Sequence, residues 1–321
     1  MAIFNVDATG ADAVMTAVGV EQAIRDLAIG NLTVEGAFDP TIILSTVETP
    51  SVVDRDDADL FVLTSEGNIL VVSPSADARD LTAVVGTVGS DVVITHDNLG
   101  DYYLGGGDDY FFDDGNGSTL VVGGDGADSI TIRGDQGYPL DFRDILDPPG
   151  PQVVFNYASG GDGDDFIVDA GAGRTYLSGD EGSDTLFAGL GGDSVLAGSG
   201  DDLVVVYSGN ADVSGGADDD FIYDLGAGDS TLYGDDGADT IFAGYGSDTV
   251  NGGSGDDLIA VFGDSISDTV VGGDGVDTLV VLRATSELAS VTDVVGGATT
   301  LTFTDFSTLT YAGIESVIFA S

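Results

Sequence analysis

Cysteine is absent from the 321 residues, so no disulfide can staple this fold. Tryptophan is absent too, and there is a single histidine, His96. One histidine cannot build the His-Glu-x-x-His site of a zinc protease, and no Gly-x-Ser-x-Gly nucleophile elbow occurs. Lysine is missing. All seven basic residues are arginine, set against 57 acids, for a formal net charge of −50. Such a charge repels nucleic acid and acidic membranes, so neither is an expected partner. No apolar run approaches the roughly 18 residues of a membrane span. The first cation is Arg25, so the N-terminus has no basic region and a cleavable secretory signal is not expected.

What the chain has instead is 50 glycines and 42% hydrophobic residues, the two in register with one another. High charge with abundant glycine suits a disordered chain, but apolar residues that recur in step with glycines mark an ordered repeat. The unit is Gly-Gly-x-Gly-x-Asp-x-apolar-x. Clean copies are GGDGDDFIV from Gly160, AGSGDDLVV from Ala197, GDDGADTIF from Gly234, GGSGDDLIA from Gly252 and GGDGVDTLV from Gly272. LGGGDDYFF from Leu104 and GGDGADSIT from Gly123 lie upstream. A longer period overlies the short one. Gly160 and Gly215 open equivalent stretches of six nonapeptides, each with one inserted residue, Asp169 or Asp224, and Leu104 with Asp113 begins a third.

A nine-residue period gives one loop and one short strand, a unit that buries its apolar face only by stacking on its neighbours. The loop glycines reach backbone conformations closed to other residues, and the aspartate supplies a hard oxygen ligand. With no His or Cys cluster, calcium is the metal these ligands suit. Over 104–281 the sequence resembles the RTX (repeats-in-toxin) family, whose nonapeptides wind a parallel β-roll holding calcium between stacked loops. The expected fold class is therefore all-β, a parallel β-roll or β-solenoid, with a short N-terminal helix or β cap and a C-terminal β cap.

The resemblance implies several calcium ions, each between same-edge loops of neighbouring coils. The aspartates it points to are Asp109, Asp128, Asp165, Asp184, Asp193, Asp202, Asp220, Asp239, Asp248, Asp257 and Asp277. Further ligands come from the glycine positions of the same loops. In the loop from Gly160 these are Gly160, Gly161, Asp162 and Gly163, and in later loops Gly182, Gly198, Gly200, Gly215 and Gly237. Gly253, Gly255, Gly273 and Gly275 complete the set. With two nonapeptides per coil, parity sorts the loops onto two edges. One edge carries Asp165, Asp184, Asp202, Asp220, Asp239, Asp257 and Asp277 without a break. The other is sparse: Thr175 and Ser230 stand where Asp belongs, the loops at Val206 and Val261 lose the glycine pattern, and only Asp193 and Asp248 keep full loops.

The core expected from the repeat is Ile167, Leu186, Val195, Val204, Ile222, Leu232, Ile241, Val250, Ile259 and Leu279, rich in the β-branched residues that strands favour. Residues 1–40 read as an N-terminal cap or assembly segment, with helical spacing over 10–29. Residues 41–103 read as metal-poor coils of the same solenoid, with a separate β-sandwich domain as the alternative. Four of the chain's seven prolines interrupt the repeat within a projecting insertion, 133–152. Residues 282–321 read as a C-terminal cap and secretion signal, since the tail ends in an acid followed by apolar residues, as in proteins of the family exported by a type I system. The whole points to a secreted protein at the cell surface of a Gram-negative bacterium that folds on export. No catalysis is expected. Self-association into a surface layer, filament or biofilm matrix is the leading role, and calcium-dependent adhesion to a cell-surface polysaccharide the alternative.

Overall fold

The computed structural model describes residues 2–6, 42–47, 51–54, 60–63, 69–73, 82–95, 99–113, 115, 118–133, 155–262, 267–293 and 297–320. The helix expected over 10–29, the insertion from residue 134 to 152 and His96 lie outside the described residues. The chain divides into two compact units, Met1–Tyr176 and Leu177–Ser321.

Both units are built from short strands because each nonapeptide supplies only about four extended residues between glycine turns. Alternate residues of a strand face opposite sides, so a single apolar position per repeat is enough to define an inner face. Thr185–Ala188, Phe221–Asp224 and Thr240–Ala243 bury every second residue in this way.

In the first unit, one sheet stacks Ile42–Val47, Leu60–Leu63, Thr82–Thr87, Leu99–Gly106, Ser118–Asp125 and Phe155–Asp162, all parallel. Ala2–Val6 adds an antiparallel strand beside Ile42–Val47. The facing sheet stacks Ser51–Asp54, Ile69–Ser73, Val92–Thr95, Tyr110–Asp113, Ser129–Ile132 and Phe166–Asp169, also parallel. The glycine-poor stretch thus continues the parallel stacking of the repeat. Its core is bulkier, with Phe61, Leu70, Tyr102 and Phe111 fully buried. The Tyr102 and Phe111 rings sit 4.8 Å apart, and the Tyr102 hydroxyl is satisfied by Thr95 at 2.9 Å. The insertion leaves the stacking undisturbed: Gly124 still pairs with Gly161, and Asp125 with Asp162.

In the second unit, one sheet runs Ser194–Ser199, Asp212–Ala217, Thr231–Asp236, Thr249–Ser254, Ser267–Asp274 and Thr308–Ala312. The other runs Thr185–Ala188, Leu203–Val206, Phe221–Asp224, Thr240–Ala243, Leu258–Phe262, Thr278–Leu282 and Ser316–Phe319. Equivalent residues pair, so Leu186, Val204, Ile222, Ile241, Ile259 and Leu279 form one column and Leu232, Val250 and Val270 part of another. Each is fully buried, contributing about 1.5–3 kcal/mol of apolar transfer energy.

The C-terminal region divides in a way the sequence alone conceals. Leu288–Asp293 and Thr299–Phe303 form an antiparallel cap beside Thr308–Ala312, whereas Thr308–Ala312 and Ser316–Phe319 make one more parallel coil. Arg283 pins the cap. It is 8% exposed, bonds Glu287 at 2.8 Å, Asp305 at 2.5 Å and the Ser307 hydroxyl at 2.7 Å, and lies 4.2 Å over the Phe303 ring. Hydrogen bonds from Ser307 and Arg283 hold the Asp305 carboxyl below its ordinary range. Replacing Arg283 with Met keeps the packing stem but removes these charge-assisted bonds. Arg283→Met is expected to cost about 2 kcal/mol, read as a lower thermal midpoint in calcium and faster exchange of amides in 288–303.

Candidate metal centre

The loops have a regular backbone. Their second and fourth positions take positive φ: Gly161 and Gly163 at 113° and 134°, Gly253 and Gly255 at 118° and 135°, Gly273 and Gly275 at 126° and 147°. A methyl group on Gly255 would collide with the Gly237 carbonyl oxygen, and one on Gly273 with that of Gly253. The repeat therefore needs glycine for both conformation and stacking distance. Asp180, Asp218 and Asp235 occupy such positions at φ of 79°, 78° and 75°, in the left-handed region that aspartate enters more readily than most residues. These collisions also show where the carbonyls point: the loop oxygens of one coil face the α-carbons of the next.

The sixth-position aspartates form a ladder. In the first unit, the Asp91 N–H donates to Asp109 Oδ1 at 2.6 Å, Asp109 to Asp128 at 2.7 Å and Asp128 to Asp165 at 2.6 Å. In the second, Asp184 donates to Asp202, Asp202 to Asp220, Asp220 to Asp239, Asp239 to Asp257 and Asp257 to Asp277, at 2.7–3.0 Å. One carboxylate oxygen thus ties coil to coil. The other faces inward: Oδ2 of Asp109, Asp128, Asp202, Asp220, Asp239, Asp257 and Asp277 is buried with no hydrogen-bond partner among the described residues. A side chain on Gly160, Gly215, Gly234, Gly252 or Gly272 would run into the Oδ2 of its own loop's aspartate, and in the last four also into a carbonyl oxygen of the next coil. Carboxylate and carbonyl oxygens thus converge at the first position of the loop.

A row of buried carboxylate oxygens is costly without a cation. Burial, reinforced by neighbouring aspartates, pushes the carboxyls of Asp109 and Asp220 up to about 8, Asp202 to about 7, and Asp128, Asp239 and Asp257 to about 6. Among the described residues no three His, Asp or Glu side chains gather around one point. A cation here must lean on backbone carbonyls as well as carboxylates, and this donor set fits calcium.

The sparse edge is more continuous than its sequence. Asp193 and Asp248 are buried as expected, but Asp268 extends the row, accepting the Asp248 N–H at 3.1 Å. Ser230 substitutes as a rung: its N–H donates to Asp248 at 2.9 Å and its hydroxyl accepts from the Ala211 N–H at 3.3 Å. The inserted aspartates also find a role. Asp113, Asp169 and Asp224 are buried and cap the N–H groups of Gly115, Gly171 and Gly226 at 2.6–2.7 Å. The Thr119 hydroxyl donates to Asp113. Where Thr or Ser replaces the rung aspartate, an aspartate six residues earlier supplies a carboxylate from within the same loop.

Besides Asp268, two more rungs lie outside the expected set. Gly86-Thr87-Val88-Gly89-Ser90-Asp91 is a degenerate loop two nonapeptides before Asp109, and that spacing is the signal that could have found it. Asp91 Oδ2 accepts from the Thr87 N–H and hydroxyl, each at 2.8 Å, so this carboxylate is satisfied from within its loop. The second is Glu315, whose Oε2 accepts the Asp277 N–H at 2.8 Å.

The profile of the RTX calcium-binding nonapeptide repeat (4 copies) matches residues 169–204, 224–259 and 262–280. Residues 169–280 therefore carry RTX calcium-binding nonapeptide repeats. No curated protein matches its sequence. Among the described residues, no helix is long and apolar enough to cross a membrane.

Proposed function

We propose that this is a secreted RTX protein that folds on calcium after export and self-assembles as a non-catalytic structural subunit outside a Gram-negative cell. Calcium would be held between same-edge loops by the inward aspartate oxygens and the carbonyls at the glycine positions. The buried aspartates of the described residues all lie in the loops of the roll or at the strand ends beside them, where the loop ladder and its caps account for them. The observation that carries the assembly reading is the strand Leu288–Asp293. It is the outermost strand of its sheet, five of its six residues are exposed, and Val291 is 57% exposed. An open edge with a flat apolar residue is a template for strand addition by another copy.

Electron microscopy in chelator and then in millimolar calcium tests the reading. Ordered filaments or sheets should form only with calcium, and Val291→Lys on the edge strand should abolish them while leaving the folded subunit intact.

One observation favours a second reading. The repeat aromatics, scattered in phase along the sequence, pair up along one sheet of the second unit and in the turns that follow its strands. Phe187 stacks on Tyr207 at 5.9 Å, Phe242 contacts Phe221 and Tyr223 at 5.5 and 5.2 Å, and Tyr245 stacks on Phe262 at 5.7 Å. Tyr207 and Tyr245 are about half exposed (49% and 54%). Exposed rings of this kind suit the apolar faces of sugars. Monodisperse particles in calcium that bind a polysaccharide, and lose it on Tyr207→Ala with Tyr245→Ala, would favour an adhesion module over a polymer.

A further inference from the structure

We infer that Glu315 is the last metal ligand of the row, and that a calcium ion bound between the loop ending at Asp277 and the loop of Gly313 and Glu315 holds the C-terminal coil in place. The inference rests on the reading that the ladder binds calcium. The tail has no repeat motif, so nothing in its sequence marks a site. The fold nevertheless puts Glu315 at a rung. Its Oε2 accepts the Asp277 N–H at 2.8 Å, as Asp277 Oδ1 accepts the Asp257 N–H at 3.0 Å. The Ser316 N–H donates to the Asp277 carbonyl at 3.1 Å, as Thr278 does to Asp257 at 2.8 Å. The flanking strands complete the equivalence: Thr308–Ala312 lies parallel to Ser267–Asp274, and Ser316–Phe319 to Thr278–Leu282.

Two features make this rung a site and not only a hydrogen bond. Asp277 is fully buried (0% exposed), and its Oδ2 has no hydrogen-bond partner among the described residues. That oxygen and the Gly313 carbonyl oxygen converge on the first position of the loop, Gly272, as Asp257 Oδ2 and the Gly272 carbonyl converge on Gly252. Gly313, at φ 62°, is the glycine that lets the tail turn in this way. The loop keeps only that glycine, and the Glu315 N–H also donates to the Asp277 carbonyl, at 3.2 Å. The cation would neutralise two carboxylates, Asp277 and Glu315, that otherwise repel, and so couple the tail's docking to calcium.

The test is Glu315→Gln in the full chain, which keeps an oxygen acceptor for the Asp277 N–H and removes the charge. Two quantities are measured: calcium bound per chain at saturation, and the calcium concentration that protects residues 308–320 from limited proteolysis. The substituted chain is expected to bind one ion fewer. Its protection midpoint for the tail should rise about tenfold, while the midpoint for upstream coils stays unchanged. Equal stoichiometry with an unchanged tail midpoint would overturn the inference and leave the upstream ladder standing. If the unsubstituted chain takes up no calcium, the ladder reading falls and this inference with it.

Discussion

Stripped of calcium at neutral pH, the protein is expected to lose most of its β-structure signal in circular dichroism and to regain it when calcium is restored. Parallel coils stack about 4.8 Å apart. Adjacent unit charges at that distance repel by about 1 kcal/mol in water and about 3 kcal/mol at an effective dielectric of 20. Each added coil buries about two core side chains, such as Ile241 and Val250, worth about 1.5–3 kcal/mol apiece before the entropy of ordering the loop is subtracted. Carboxylate repulsion is large enough to cancel that gain. A divalent cation in each gap reverses the sign of the electrostatics, so folding and binding become one transition.

The same balance fixes the pH dependence without metal. Burial raises the folded-state carboxyls of Asp109, Asp202 and Asp220 to about 8, 7 and 8, from an ordinary value of 3.8. The folded chain then binds more protons than the unfolded chain, and stability falls as pH rises. The contribution is fully present below about 4 and is lost as pH climbs through about 6 to about 8. In chelator, β-structure should therefore be retained at pH 4–5 and melt towards pH 8, whereas saturating calcium should flatten the profile. A calcium-free protein fully folded at pH 8 would refute the account.

Substitution at Asp239 should act in opposite directions with and without calcium. Asp239→Asn keeps an oxygen acceptor for the Asp220 N–H, which lies 2.8 Å from Oδ1, and removes a buried charge flanked by those of Asp220 and Asp257. In chelator it should stabilise the roll by about 1–2 kcal/mol. In calcium it should destabilise, because one site disappears; a site at a hundredfold excess over Kd contributes about 2.7 kcal/mol. Asp239→Ala also strands the Asp220 N–H, at a cost of about 1–3 kcal/mol, and should destabilise under both conditions. Urea unfolding of the three proteins, each in chelator and in calcium, reads all six outcomes. If Asp239→Asn destabilised equally in both, the inner oxygen would have a purely structural role.

Much of this was legible in the chain. A nine-residue period with glycine and aspartate at fixed offsets allows essentially one arrangement: stacked coils, one inward apolar residue per strand, and a row of carboxylates along an edge. In the second unit, the inward residues from Leu186 to Leu279 and the ladder from Asp184 to Asp277 follow from counting, because rungs recur every 18 to 20 residues. Counting fails where coils are held by partners distant in sequence. Asp268 sits in a loop too degenerate to recognise, and Glu315 reaches its rung across the 38 residues that separate it from Asp277. The aromatic clusters join rings from neighbouring coils that lie far apart in the sequence. The division of the carboxylate is likewise a tertiary matter. One oxygen ties the preceding coil and the other is left for a cation, because only stacking decides which oxygen meets an N–H and which is buried beside carbonyls.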